Sequence, residues 1–211
     1  MFIRWRSAAC AAALAAAFLA PGLAQAQLGG LVGGLLGSGS DPQTGVSGQA
    51  AAVRATVLGI TTSLADSGTL SDPSQPVGTG QTVGSIPGLV SAESLHAAAM
   101  GWSDQVVSQA SLGNLALTVA GTGITADFLG SEALAVAGAA ATGASAIEGL
   151  RIGGVAVTPT GIPNQLVSLP GLSVILNEQT QTAGGIVVNA LRVKTLDGLT
   201  DVAVGTTRAG I

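Results

Sequence analysis

The stretch Leu172–Ile211 reads L-S-V-I-L-N-E-Q-T-Q-T-A-G-G-I-V-V-N-A-L-R-V-K-T-L-D-G-L-T-D-V-A-V-G-T-T-R-A-G-I. Leu172, Val174 and Leu176 alternate with Ser173, Ile175 and Asn177. Past the turn signal Thr182-Ala183-Gly184-Gly185, Val187, Asn189, Leu191 and Val193 alternate with Val188, Ala190, Arg192 and Lys194. Period-two alternation on both sides of a glycine-containing break is the pattern of a β-hairpin. A third alternating run, Val202–Thr206, follows Asp197-Gly198. Arg192 and Lys194 share a face, which is expected to meet water. That places Asn189 on the inner face with Val187, Leu191 and Val193. Symmetric pairing about the turn sets Asn177 opposite or nearly opposite Asn189. Two facing amides can satisfy one another, as buried polar groups must.

Outward from this stretch, the chain's start carries an address. In Met1–Ala26, Arg4 and Arg6 precede the apolar run Ala8–Leu19, Pro21-Gly22 breaks it, and Ala24-Gln25-Ala26 has the small-x-small form of a cleavage site. The expectation is a secretory signal peptide, with the mature chain starting at Gln27. No later stretch has the length of a membrane span. Beyond Ala26 no cysteine remains, so no disulfide is expected. Seven basic residues less Arg4 and Arg6 leave five against eleven acidic ones, a net charge of −6. That balance argues against nucleic acid and anionic lipid as partners. Trp102 and Phe128 are the remaining aromatics, which disfavours ring-stacking on sugars and aromatic-anchored interfaces. The core must be built from Val, Leu, Ile and Ala, each contact contributing little.

Gln27–Ser47, rich in Leu, Gly and Ser, reads as a flexible lead-in, or else as a segment that adheres to a surface or to copies of itself. The domain is expected over 48–211. Gly48–Ile60 alternates as a strand. Ser63–Gly84 and Pro159–Pro170 are turn-rich and read as loops, and Ala139–Ser145 as a small-residue loop. Leu89–Met100 has helix-forming residues but also period-two alternation, and is assigned as strand mainly on the resemblance described below. Along Gln105–Val119 the phase of the apolar residues changes at Gly113, which predicts a bulge. Ile124, Ala126 and Phe128 then run to Gly130, and Leu134 and Val136 to Gly138. Eight to ten strands with frequent turns predict an all-β antiparallel sandwich or jelly roll, with a β-roll or solenoid as the alternative.

Several motifs in order resemble the choice-of-anchor P family of exported bacterial proteins. They are L-V-S-A-E-S-L at Leu89–Leu95, S-Q-A-S-L-G-N-L-A-L at Ser108–Leu117, I-T-A at Ile124–Ala126 and the run Ser145–Val157. V-I-L-N-E-Q-T at Val174–Thr180, V-N-A-L-R-V at Val188–Val193 and V-G-T-T-R-A-G-I at Val204–Ile211 complete the set. The resemblance spans roughly Gly48 to Ile211. It implies a surface β-domain and brings no catalytic residues. The family is named for interchangeable C-terminal anchors. None is visible before Ile211, so soluble release or retention through the N-terminal segment is expected.

Candidate chemistry is sparse. His96 is the single histidine and has no local nucleophile or orienting acid, so it reads as a surface or edge-strand residue. With no mature cysteine, a transition-metal site is not expected. Asp197 and Asp201 with Gly198 lack the dense spacing of a calcium loop. Glu178, flanked by Asn177 and Gln179, is the best acidic candidate. If Leu172, Val174 and Leu176 face inward, it continues that face. It serves either as a ligand group or general acid, with Asp201 or Glu148 as a second carboxylate, or as a structural carboxylate paired with Arg192 or Arg208. The expected function is a secreted or cell-surface, non-enzymatic domain without cofactor, structural or adhesive. Its partners would be envelope or matrix components, or copies of itself. The alternative is a ligand-binding module with its site between the 63–84 and 159–170 loops. Asn177, Glu178 and Asn189 are the candidate binding residues.

Overall fold

The computed structural model describes residues 45–211; the signal-peptide reading of 1–26 and most of the 27–47 lead-in lie outside them. Thirteen strands follow one another: β1 Ser47–Val57, β2 Ile60–Leu70, β3 Val77–Ile86, β4 Val90–Gly101, β5 Gln105–Val119, β6 Thr122–Val136, β7 Thr142–Glu148, β8 Arg151–Ile152, β9 Val155–Ala156, β10 Gln165–Leu169, β11 Leu172–Thr182, β12 Gly185–Thr195 and β13 Thr200–Gly210. They form two antiparallel sheets packed face to face, a β-sandwich. Sheet A has the order β10-β11-β12-β13-β1-β2. Sheet B has the order β3-β4-β5-β6-β8-β9, with β7 also on β6. Most chain neighbours within a sheet pair as hairpins, while β2 to β3 and β9 to β10 cross between the sheets. The non-sequential pairs are β8 on β6 and β13 on β1, the latter joining the two ends of the domain.

The core between the sheets holds Leu95, Leu112, Leu115, Leu117, Ile124 and Leu129 from sheet B against Val53, Leu172, Val174, Leu191, Val193 and Val204 from sheet A. A smaller cluster at one end gathers Leu70, Val106, Ile186 and Val188, with Val46 and Val77 packed on it. Among the described residues no helix is long and apolar enough to cross a membrane.

A transverse crease runs across sheet A. Its row, strand by strand, is Asn177, Ala190, Gly205, Ala52 and Ala65, and each drops out of the ladder at the same level. On alternate strands the backbone is left-handed: Asn177 at φ 50°, Gly205 at 60° and Ala65 at 46°. A left-handed residue turns the next side chain onto the opposite face, so two successive residues point inward on each strand. Leu176 and Asn177, Ala190 and Leu191, and Ala52 and Val53 are all buried pairs. Only small side chains fit the row. A Cβ on Gly205 would sit 3.1 Å from Ala190 Cβ and 3.4 Å from Ser131 Oγ of the facing sheet. Sheet B has the converse crease. Ser94 and Asn114 are left-handed, at φ 51° and 47°. Glu93-Ser94 and Asp127-Phe128 turn outward in succession, and Gly113-Asn114 is left outside the core.

The crease corrects the assignment of faces. Val187 and Asn189 are not inward with Leu191 and Val193. Ile186, Val188 and Ala190 are, because the phase reverses between Ala190 and Leu191. Phe128 is exposed, and Ala133 and Ala135 rather than Leu134 and Val136 fill the core. The phase change expected at Gly113 is present, with Asn114 taking the left-handed turn.

Three segments read as loops contain strand, and two of them are mostly strand. Of Ser63–Gly84 only Ser71–Pro76 connects, Gln165–Leu169 of the second segment is β10, and Thr142–Ser145 belongs to β7. Their Ser, Thr and Gly content marks edges, where side chains lie in water, rather than turns. Gly48–Ile60 in turn is β1 only to Val57, and Leu58-Gly59 is a turn into β2. β2 and β10 occupy opposite edges of sheet A, so the 63–84 and 159–170 segments do not flank one site.

Candidate functional site

The hairpin of β11 and β12 turns at Ala183-Gly184 one residue from the expected Asn177–Asn189 pairing, with Leu176 opposite Leu191 and Glu178 opposite Asn189. Asn177 therefore faces Ala190 in the crease, not Asn189. The left-handed backbone at Asn177 keeps its side chain inward beside Leu176, and ordinary alternation then sends Glu178 to the outer face of sheet A. The two asparagines do not bond to each other.

Instead three successive side chains, Asn177, Glu178 and Gln179, each tie β11 to a different part of the fold. Asn177, 6 % exposed, donates from Nδ2 to the Gly161 carbonyl at 3.0 Å and accepts from Gln179 Nε2 at 3.0 Å. Gln179 Nε2 also donates to the Gly143 carbonyl of β7 at 2.9 Å, and Gln181 Nε2 donates to Ala141 O at 2.9 Å. These two glutamines tie β11 to the start of β7. Asn164 completes the joint, exchanging hydrogen bonds with the Gln179 main chain.

Glu178 points to the outer face of sheet A, not onward along the inner one as the alternation suggested. Its Oε2 accepts from Asn189 Nδ2 at 2.6 Å, and Arg192 Nη1 lies 3.0 and 3.1 Å from its two oxygens. Arg192 also grips Asp201 with Nε at 2.9 Å and Nη2 at 2.7 Å, a forked pair. Asn189 Oδ1 accepts from Thr206 Oγ1 at 2.8 Å. The chain Thr206–Asn189–Glu178–Arg192–Asp201 thus stitches β13, β12 and β11 together. Asp201 raises the pKa of the Arg192 guanidinium above its ordinary value; burial works against it, and Glu178 adds to the rise.

Beside this network a shallow hollow of about 130 Å³ is lined by Gln49, Arg54, Val187, Thr206 and Arg208. Asp66 accepts from Gln49 and from Arg54, each at 3.0 Å. Burial pushes its carboxyl up, but the Gln49 amide, the Gly68 N–H and Arg54 outweigh that and hold it below 3.8. A larger opening of about 330 Å³ at one end of the sandwich is lined by Ala135, Gly138, Ala141, Gln181, Gly185 and Ile211. Its walls carry no ionisable side chain.

Of the sequence candidates, Glu178, Asn189, Arg192 and Asp201 meet in one network, while Asn177 serves the other face. Glu148 lies on β7 of sheet B, away from it. Among the described residues no three His, Cys, Asp or Glu side chains gather as a metal cage. Asp197 accepts from the Leu199 N–H within its own turn, and His96 is exposed on β4. Thr206, Asn164 and Gly161 were not foreseen; alternation alone gives no sign of a residue bonding across a crease. The chain matches no known protein family, no curated protein and no solved structure at a significant level.

Proposed function

We propose that this is an exported, non-catalytic β-domain with a structural or adhesive role at or outside the cell envelope. The observation that carries the reading is the use made of Glu178. A carboxylate working as acid or ligand needs a free oxygen facing open space. Here both oxygens are taken by Arg192 and one also by Asn189. The second carboxylate of the network, Asp201, is gripped by the same arginine. The motif richest in polar chemistry is spent on holding strands together.

The reading also draws on the signal-like start and on the motifs that resemble choice-of-anchor P domains. Fractionation of producing cells tests the address, and the protein is expected outside the cytoplasm. Turnover of a glycan, ester or peptide substrate that Glu178→Gln abolishes, with the fold kept, would overturn the non-catalytic role.

A further inference from the structure

We infer that β3 is a self-association edge: two copies pair β3 to β3, antiparallel, joining their sheets B into one continuous sheet. This names a partner for the structural role proposed above but stands on separate observations. A sheet edge carries unpaired N–H and C=O groups that will accept another strand unless something prevents it.

The other edges of this sandwich are each defended. β10 is five residues long and lies between Pro163 and Pro170. β2 carries Asp66 and turns left-handed twice, at Ala65 and Gly68. β7 is seven residues long, with its Gly143 carbonyl taken by Gln179 and the Ala141 carbonyl just before it by Gln181. β9 is two residues long.

β3 shares with β10 only the flanking prolines, here Pro76 and Pro87, and is twice as long. It runs ten residues, V-G-T-G-Q-T-V-G-S-I, with no proline, no charge and no left-handed residue. Its single irregularity is Thr82, which drops out of the ladder opposite Ser94. From Pro73 to Ala92 no side chain is charged, in a chain with eleven acidic residues. The strand is nevertheless fixed in place, since Val77 packs on one core cluster and Ile86 on the other. Between these anchors Gly78 and Gly80–Val83 are exposed, with Val83 at 66 %.

Charge selects the occupant. A second copy approaching through any strongly acidic part of its surface meets like charge, whereas the β3 strip is neutral and self-complementary. Antiparallel pairing of one strand with itself is a two-fold arrangement that closes at two copies. Ten residues give an overlap of about 33 Å and about five free N–H and C=O pairs per strand. An edge contact of that size is small beside a typical stable interface, so the dimer is weak and depends on concentration.

The test is sedimentation of the protein purified from its producing cells, over a range of concentrations, beside the double variant Gln81→Lys with Val83→Lys. Both positions are exposed, so the variant is expected to keep its melting temperature. The native chain is expected to shift from monomer to dimer as concentration rises, and the variant to weaken that step about tenfold or more. A matched variant on the β2 edge, Thr62→Lys, should leave the dimer unchanged. A native chain that stays monomeric throughout, or a dimer that the β3 lysines leave intact, overturns the inference. Neither result bears on turnover or cellular address, which test the functional reading.

Discussion

Gly205 and Asn177 carry the same left-handed backbone two strands apart, by different means. Gly205 has no Cβ to crowd, and a methyl there meets Ala190 and Ser131. Gly205→Ala is expected to lower stability by about 1–3 kcal/mol, from backbone strain and overpacking together, measured by denaturant melts. Asn177 tolerates the turn because its amide is bonded on both sides. Asn189→Leu is expected to cost about 1–3 kcal/mol while leaving export intact, because Glu178 and Thr206 each lose a partner in a part-buried network. Asp66 gives a pH dependence. Its folded carboxyl is a stronger acid than the unfolded one, so its ionisation stabilises the fold above 3.8. That contribution drains away as pH falls through the lower folded value. Asp66→Asn should therefore lose less melting temperature than the native chain on acidification from about pH 5 to pH 2.

At the scale of the element, the hairpin β11–β12 was legible, with its register one residue off. Leu172, Val174 and Leu176 on one side of a glycine turn, and Val187, Leu191 and Val193 on the other, recur with period two. The strand β4 was assigned mainly through the family resemblance, since Ala-Glu-Ser-Leu-His-Ala favours helix and its alternation breaks at the left-handed Ser94. What was hidden is the crease. Period two assumes that every residue keeps the same handedness, and one left-handed residue inverts all that follow. A glycine announces such a place, as Gly113 did, but Asn177, Ser94 and Ala65 do so in side chains that usually mean something else. Hence Glu178, Val187 and Asn189 were set on the wrong face, while Leu191 and Val193 beyond the crease were set correctly. The edge strands were hidden for a second reason: β2, β3 and β10 lie half in water and carry turn-like composition. Leu191, wholly buried where the crease meets the core, tests the corrected faces. Leu191→Ala should cost about 2–5 kcal/mol, whereas Val187→Ala, partly exposed on the outer face, should cost clearly less.

For the whole molecule, the decisive contact is β13 against β1. The ladder runs from Ser47 opposite Gly210 to Val57 opposite Thr200, bringing the two ends of the domain side by side. The Ile211 N–H donates to Gly184 O at 2.9 Å, so the last residue is pinned to the hairpin turn. Sheet A without Leu172–Ile211 retains only β1, β2 and an orphaned β10, too little to cover sheet B. The most direct measurement is calorimetric or circular-dichroism melting of the chain ended at Pro170, beside the full chain. A strand-rich full chain melting in one cooperative transition, with no such transition after truncation, is the predicted result. A truncated chain that still melts cooperatively, or a full chain whose spectrum is dominated by helix, would contradict a sandwich completed by its final three strands.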